Sequence, residues 1–122
     1  FHELGFRILA TEGTQRYLAA RGVPAQRVFK VGEGRPNIVD LMISGEVQLL
    51  INTPLGARSQ YDDYAMRRAA IAYKIPYCTT MSAAAAACEA VIALRSRTPQ
   101  VRSLQERFAA ARAAAKASTV LV

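Results

Sequence analysis

The segment Thr11-Glu12-Gly13-Thr14 combines a glycine with two hydroxyls immediately before a predicted helix. Unpaired backbone N–H groups and the helix dipole make such a position a binding site for a phosphate or a carboxylate. Taken alone, the motif is also explained by Thr14 as an N-cap and Gly13 as a turn residue. Lys30 ends a predicted strand and would add a positive charge beside this terminus, unless it is only a surface lysine.

Further polar residues follow the other predicted strands: Arg35, Asn52, Thr53, Thr79 and Thr80. Arg35 lies in a glycine-bounded loop and either contacts an anion or, as the favoured alternative, pairs with Asp40 or Glu33. Asn52 follows a buried strand, where its amide either meets a ligand or ties down the next loop. The two threonines that follow the last strand are better explained as turn and cap residues.

The chain lacks the residues that several kinds of active site need. The single histidine is His2, no paired-cysteine spacing occurs, and no P-loop or dinucleotide-binding glycine run follows a strand, so we expect neither a metal site nor a cofactor. Asp62 and Asp63 are adjacent and point to different sides of a helix, which favours a cluster of N-terminal charges over an acid-base pair. Cys78 and Cys88 are expected to be free, buried thiols.

Short apolar runs alternate with helical segments at the spacing of βα units, which predicts an α/β fold. We expect a three-layer, Rossmann-like parallel sheet flanked by helices. Strands are predicted at 6–10, 27–31, 47–51 and 75–78, and helices near 15–20, from 36 to 45, over 61–72, over 82–94 and over 99–117. Run 47–51 is typical of a central strand covered on both faces. Ligands of such sheets bind at the carboxyl ends of the strands, where the polar residues should meet.

The length of 122 residues, with 52% hydrophobic and 20% charged residues, predicts one folded domain over 1–122. No apolar run approaches the ~20 residues of a membrane span and no leader pattern opens the chain, so a cytoplasmic location is expected. Residues 1–5 are typical of the last turn of a helix with Gly5 as its C-cap. We therefore expect a piece of a longer polypeptide whose first strand is missing, and self-association through the free sheet edge.

The formal net charge of +7 is concentrated near the end of the chain. Residues 95–122 hold Arg95, Arg97, Arg102, Arg107, Arg112 and Lys116 against Glu106 alone. A basic terminal helix is more often a solvated or docking face than a nucleic-acid arm. Val101, Leu104 and Phe108 would form its inner stripe.

Four segments together resemble one known family: 10–14 (Ala-Thr-Glu-Gly-Thr), 30–40 (Lys-Val-Gly-Glu-Gly-Arg-Pro-Asn-Ile-Val-Asp), 51–53 with Gly56, and 67–80. They are similar to the methylglyoxal-synthase-like domain that ends the large subunit of carbamoyl-phosphate synthase. Residues 101–106 are similar to the closing helix of that domain. The family often has a further threonine where this chain has Pro54.

The resemblance implies a regulatory, non-catalytic domain that needs no cofactor of its own. Its effector-phosphate residues correspond to Thr11, Thr14, Lys30 and Asn52, and the full set of candidate effector-binding residues is Thr11, Gly13, Thr14, Lys30, Arg35, Asn52 and Thr53. Implied partners are an anionic effector, uridine or inosine monophosphate, and the rest of the synthase large subunit with its small subunit. The parent chain would be an ATP-dependent, glutamine-hydrolysing ligase of pyrimidine and arginine biosynthesis.

Two other functions compete with this interpretation. Methylglyoxal synthase has the same fold and needs a carboxylate base and a histidine, but the corresponding loops, at 34–36 and after Asn52, lack both residue types. A nucleic-acid module would rest on the basic tail alone and predicts a steep dependence of affinity on salt. We expect neither nucleic acid nor membrane as a partner.

Overall fold

The computed structural model describes residues 1–53 and 60–117, and within these the side chains of all but Gln60, Lys116 and Ala117. By its internal contacts the chain divides into two compact units, the first over Phe1–Ile92 and the second beginning at Ala93. Each unit is described separately. The predicted loop residues Pro54 and Gly56 lie outside the described residues.

Strands and helices alternate along the described chain. In order they are β1 (Leu9–Ala10), α1 (Glu12–Ala19), β2 (Gln26–Arg27), α2 (Ile38–Ile43), β3 (Leu50–Ile51), α3 (Gln60–Ala72), β4 (Tyr77–Cys78), α4 (Met81–Ser96) and α5 (Leu104–Ala117). β1 pairs with β2 and β3 with β4, both in parallel. The α/β class with parallel strands flanked by helices is thereby confirmed.

The hydrogen-bonded strands are shorter than predicted. Each ladder covers two residues per strand, and the described ladders form two separate pairs. In β3, Leu50 is buried, whereas Ile51 is 41% exposed. Successive side chains of a strand point to opposite faces, so only one face of β3 is covered here and the prediction of a strand covered on both faces is wrong.

The core of the first unit joins both strand pairs to α2 and α3. Its buried residues are Val28, Ile38, Met42, Leu50, Ala69, Ala70 and Ile75. Met42 is the only large side chain of the described residues with an exposure below 2%. Ile38 and Met42 are one turn apart and bury the same face of α2, as the periodicity predicts. Ala69 and Ala70 are small, which lets α3 approach this face closely.

Helix starts differ from the predicted ones because side-chain caps fix them. α2 begins at Ile38 and not at Pro36, since Asn37 caps it. α4 begins at Met81, because the Oγ1 of Thr80 accepts a hydrogen bond from the backbone N–H of Ala83 (3.1 Å). The predicted capping role of Thr80 is confirmed, and the helix starts one residue before the predicted residue 82.

Helix ends follow a common pattern in which the chain turns through a left-handed residue. Gly5, Gly22 and Gly45 have φ between 73° and 85°, and Lys74 has φ 56°. At Gly5 the N–H groups of Gly5 and Phe6 donate to the carbonyls of His2 and Phe1 (2.9 and 3.1 Å), the bond pattern of a helix C-cap. Residues 2–5 form a turn, and the helix expected before Gly5 stays a prediction. Equivalent pairs of bonds close α1, α2 and α3.

In the second unit, α5 begins at Leu104 rather than at the predicted residue 99. The N–H of Glu106 donates to the Oγ of Ser103 (3.2 Å), and the N–H of Ser103 donates to the Glu106 carboxylate (2.7 Å). This capping box sets the start and holds the pKa of Glu106 below its usual value. Val101, Leu104 and Phe108, predicted as an inner stripe, are exposed.

Two further expectations concern thiols and membranes. Cys78 and Cys88 are free, as predicted, but both are half-buried rather than buried. Within the described residues, no helix combines the length and the apolar character that crossing a membrane requires.

Candidate functional site

The N-terminus of α1 lies directly after the carboxyl end of β1. Thr11 is the N-cap, and its hydroxyl makes no capping bond. The first backbone bond of the helix runs from the N–H of Gln15 to the carbonyl of Thr11 (2.8 Å). The N–H groups of Glu12, Gly13 and Thr14 therefore have no acceptor within the helix. Thr14 lies inside the first turn, so its alternative role as an N-cap is wrong.

Gly13 is the second residue of α1 and needs no special backbone conformation. Its φ is outside the left-handed region, and a Cβ built there would have no heavy atom within 4 Å. The alternative that Gly13 is a turn residue is therefore wrong. Because Gly13 has no Cβ, the space at the helix terminus is open, and an anion can approach the backbone N–H groups closely.

The acidic residue of the first turn is neutralised by two arginines. Glu12 accepts hydrogen bonds from Arg16, one turn along α1 (2.5 Å), and from Arg27 of β2 (3.4 Å). Both ion pairs are exposed and contribute little to stability. Their effect on the site is electrostatic, because they offset the negative charge that would otherwise oppose an anion at this terminus.

Lys30 follows β2, whose register places it near the same terminus. The N–H of Val28 donates to the carbonyl of Ala10 (2.9 Å), so the chain after β2 runs beside Thr11. The backbone of Lys30 exchanges bonds with Glu33, whose carboxylate accepts from the Lys30 N–H at 3.0 Å. The Lys30 side chain is exposed, and its ammonium has no partner among the described residues.

Arg35 is committed to an ion pair within its own loop. Its Nε donates to Oδ2 of Asp40 at 3.1 Å and its Nη2 to Oδ1 at 2.5 Å, which confirms the pairing alternative. The guanidinium of Arg35 and the backbone N–H of Asn37 hold the pKa of Asp40 below its usual value. The Arg35 side chain is 81% exposed, so it remains open to solvent.

Asn52 lies at the carboxyl end of the other strand pair. Its backbone N–H donates to the carbonyl of Cys78 (2.9 Å), and its side-chain Nδ2 donates to Oδ1 of Asp63 on α3 (2.5 Å). The neighbouring Thr53 is exposed, as is Thr79 after β4. The interpretation of Asp63 as merely one of a cluster of helix N-terminal charges is thus incomplete.

The structure brings the candidate residues into two groups. Thr11, Gly13, Thr14 and Lys30 belong to the β1-β2 end, and Asn52 and Thr53 belong to the β3-β4 end. No backbone hydrogen bond joins the two groups within residues 1–53 and 60–117. Nor does this part of the chain contain a cluster of His, Cys, Asp or Glu that could hold a metal ion.

Two clefts lie away from these residues. One, of about 330 Å³, is lined by residues around Gly45, Val47 and Lys74, before β3 and β4. The other, of about 430 Å³, is lined by residues around Phe6 and Pro24, before β1 and β2. Neither is lined by a candidate site residue, so the chemistry of the strand carboxyl ends, rather than cavity size, identifies the candidate site.

The roles of two side chains were not predicted from the sequence. Asn37 is buried, and its Oδ1 accepts from the N–H groups of Val39 and Asp40 (3.0 and 3.1 Å), which shapes the loop after Lys30. The spacing Asn-x-x-Asp at 37–40 is a capping-box signal that could have identified it. The contact of Asp63 with Asn52 joins positions far apart in the sequence, and no local pattern signals it.

Comparisons with known proteins agree with this architecture. A family model described as MGS-like domain matches residues 1–79. The carbamoyl phosphate synthase large chain of Gemmatimonas aurantiaca is 56% identical over 106 residues, which are 87% of this chain and 10% of that protein. The large chain of Archaeoglobus fulgidus is 46% identical with the same coverage. The C-terminal section of the Aquifex aeolicus large chain is 48% identical over 87% of this chain and 21% of that protein.

This chain spans about a tenth of the length of the full large chains that it matches. The family model alone covers well over half of the chain. With its parallel strand pairs, its capped loop after Lys30 and these relatives, the chain belongs to the MGS-like domain family.

Proposed function

We propose that this chain is the effector-binding regulatory domain of a carbamoyl phosphate synthase large chain. The observation that carries the proposal is the N-terminus of α1, where the hydroxyl of Thr11 and the N–H groups of the first turn have no partner within the described residues. The open space at Gly13 gives a phosphate access to these donors. Lys30, in the segment after the neighbouring strand β2, supplies a positive charge.

The effector we propose is a nucleoside monophosphate, uridine or inosine monophosphate. Its phosphate would be held by Thr11, Gly13, Thr14 and Lys30 from the β1-β2 end and by Asn52 from the β3-β4 end. Asn52 and Thr53 would donate from the β3-β4 end, and Arg35, held by Asp40, would border the site.

The mechanism is a shift of populations. An effector that binds one arrangement of the domain more tightly than another stabilises that arrangement by the difference in binding free energy, typically about 1–3 kcal/mol between coupled sites. The rest of the large chain, with its small subunit, would respond to that shift. The catalytic work, an ATP-dependent and glutamine-hydrolysing ligation in the cytoplasm that serves pyrimidine and arginine biosynthesis, would belong to those parts.

The test is calorimetric titration of the full-length large chain with uridine monophosphate, inosine monophosphate and dihydroxyacetone phosphate. We expect at least one nucleotide to bind, and Lys30→Ala to weaken it at least tenfold, because about 1.4 kcal/mol of charge-assisted hydrogen bonding is lost. Lys116→Ala is the matched control, since it removes the same charge from α5 and should leave the affinity unchanged.

The alternative outcomes are distinct. Conversion of dihydroxyacetone phosphate to methylglyoxal would replace this proposal with the lyase activity. Equal loss of affinity in Lys30→Ala and Lys116→Ala would indicate a general charge effect and contradict the proposed site. Binding of neither nucleotide would contradict the proposed effector class.

A further inference from the structure

Asp63 connects α3 to a candidate effector residue. Its Oδ1 accepts a hydrogen bond from Nδ2 of Asn52 at 2.5 Å and a second from Nε of Arg67 at 2.9 Å. The Asp63 side chain is only 16% exposed, and Arg67 lies one turn further along the same helix. The carboxylate is therefore held in place by its own helix, and it in turn holds the amide of Asn52.

The bond limits what the Asn52 side chain can present to a ligand. A primary amide has two N–H donors and one carbonyl acceptor. One N–H is directed at Asp63, and the backbone of Asn52 is fixed by its bond to the Cys78 carbonyl (2.9 Å). The side chain is thus fixed at both ends, which leaves its second N–H as the donor that an anion at the strand end can use.

The ion pair with Arg67 reduces the repulsion between the Asp63 carboxylate and an anion bound nearby. An isolated Asp63 would oppose a phosphate at Asn52, whereas the Arg67 guanidinium at 2.9 Å offsets its charge. Asp62, the adjacent acid of the same turn, has no described bond to Asn52 or Arg67. The arrangement is therefore specific to one of the two neighbouring carboxylates.

We infer that Asp63, charge-balanced by Arg67, is a positioning residue that orients the amide of Asn52 toward the phosphate of the effector. Asp63 acts through Asn52 and does not itself contact the ligand. This inference rests on the proposed function, since it concerns the same site, but it assigns a residue of α3 to a site otherwise formed by the strand ends and α1.

The test is a double-mutant cycle on the full-length large chain, with the dissociation constant of uridine monophosphate measured by calorimetry at fixed pH and salt. We expect Asn52→Ala and Asp63→Ala each to weaken binding about tenfold, the loss of one well-placed hydrogen bond. Because Asp63 acts through Asn52, adding Asp63→Ala to Asn52→Ala should weaken binding by no more than about twofold.

Two further variants separate positioning from folding. Asp63→Asn keeps an oxygen that can accept from Asn52 and should retain an affinity within about threefold of the unmodified protein. Asp62→Ala removes the neighbouring carboxylate and should leave the affinity unchanged. A general disturbance of α3 would instead weaken all the Asp62 and Asp63 variants alike and would overturn the inference.

The remaining outcomes distinguish failure of the role of Asp63 from failure of the proposed function. Unchanged affinity in Asp63→Ala, or losses that add in the double variant, would overturn the inference while leaving the proposed function in place. Failure of the unmodified protein to bind either nucleotide would overturn the proposed function and, with it, the role of Asp63.

Discussion

At the scale of single residues, Lys74 has the least typical backbone conformation of the described chain. It is the only non-glycine residue among those described with a positive φ, at 56°. It ends α3 as a glycine ends α1 and α2: the N–H of Ile75 donates to the Ala70 carbonyl (2.8 Å) and that of Lys74 to Ile71 (3.3 Å). A side chain with a Cβ is strained in this conformation.

We predict that Lys74→Gly stabilises the protein. Relief of the left-handed strain, about 1–2 kcal/mol, exceeds the entropy that glycine adds to the unfolded chain, about 0.4–1 kcal/mol, so the net gain should be about 0.5–1 kcal/mol. Urea unfolding followed by circular dichroism measures it. Lys74→Ala is the control, because it removes the charge but keeps the Cβ, and it should change stability little. A glycine variant no more stable than the alanine variant would contradict the prediction.

A second residue-scale prediction concerns acid. The pKa of Asp40 is lower in the folded protein than in the unfolded chain, so its stabilising effect is complete above the unfolded value of about 3.9 and is lost as the pH falls through the folded value. The stability difference between the unmodified protein and Asp40→Asn should therefore be constant near neutral pH and shrink as the pH falls below about 4.

Urea midpoints between pH 7 and pH 3 measure this difference. Arg35→Gln removes the main cause of the shift, so the same comparison in that background should show a smaller dependence on pH. A difference that grows toward low pH would show that Asp40 is destabilising when charged.

At the scale of elements, local signals predicted the middle of each element better than its ends. Ile38, Met42 and Gly45 identify α2 because burial and C-capping act over a few neighbouring residues. The predicted start at residue 36 is two residues too early. Pro36 also suits a first helical turn, but the side chain of Asn37 caps the helix and fixes its start at Ile38. Similar caps shift the starts of α4 and α5.

The strands and the site were predictable only in part. The predicted runs contain three of the four described strands, whereas β2 (Gln26–Arg27) begins one residue before the predicted run 27–31 and shares only Arg27 with it. Ladder length depends on hydrogen-bonding neighbours that the local sequence does not specify. Thr11 and Asn52 directly follow β1 and β3, whereas Lys30, which was predicted to end its strand, comes three residues after β2. The strand-end rule did not reveal that Arg35 is held by Asp40 or that Asn52 is held by Asp63, because such contacts depend on tertiary packing.

A substitution at the N-terminus of α1 should have opposite effects on the stability of the protein and on its affinity for the effector. In the free protein, Gly13→Ala should raise stability by about 0.5–1 kcal/mol, since alanine favours the helix and its Cβ meets open space. The same Cβ would occupy the space above the helix N–H groups, so the affinity for uridine monophosphate should fall at least tenfold.

Thermal unfolding and calorimetry measure the two effects on one variant. Gln15→Ala, also in α1, is the control and should leave the affinity for uridine monophosphate unchanged. Tighter or unchanged nucleotide binding in Gly13→Ala would place the phosphate elsewhere and contradict the site.

At the scale of the whole molecule, each described strand has one hydrogen-bonded neighbour, so each pair has free edges. Free edges recruit other strands. We therefore predict that this chain self-associates. Sedimentation velocity over a hundredfold range of concentration tests this prediction. We expect the sedimentation coefficient to rise with concentration; a constant monomeric value would contradict the prediction.

The core provides the last prediction, because it depends on very few large side chains. Met42 is 1% exposed and contacts a cluster in which two of the other buried members are alanines. Met42→Ala removes buried volume that these small neighbours cannot refill and should cost about 2–5 kcal/mol. Against a typical total stability of about 5–15 kcal/mol, this loss would remove most of the stability of a domain at the low end of that range.

Met42→Leu separates the loss of volume from the loss of the thioether, since leucine nearly conserves the volume and should cost less than about 1.5 kcal/mol. Urea unfolding of both variants, followed by circular dichroism, gives the comparison. Equal small losses in the two variants would mean that α2 and α3 close the cavity by moving together. If only Met42→Ala loses unfolding free energy in the expected range, the contact of α2 with α3 is rigid. A rigid contact is what a bound effector needs if its effect is to spread beyond its own site.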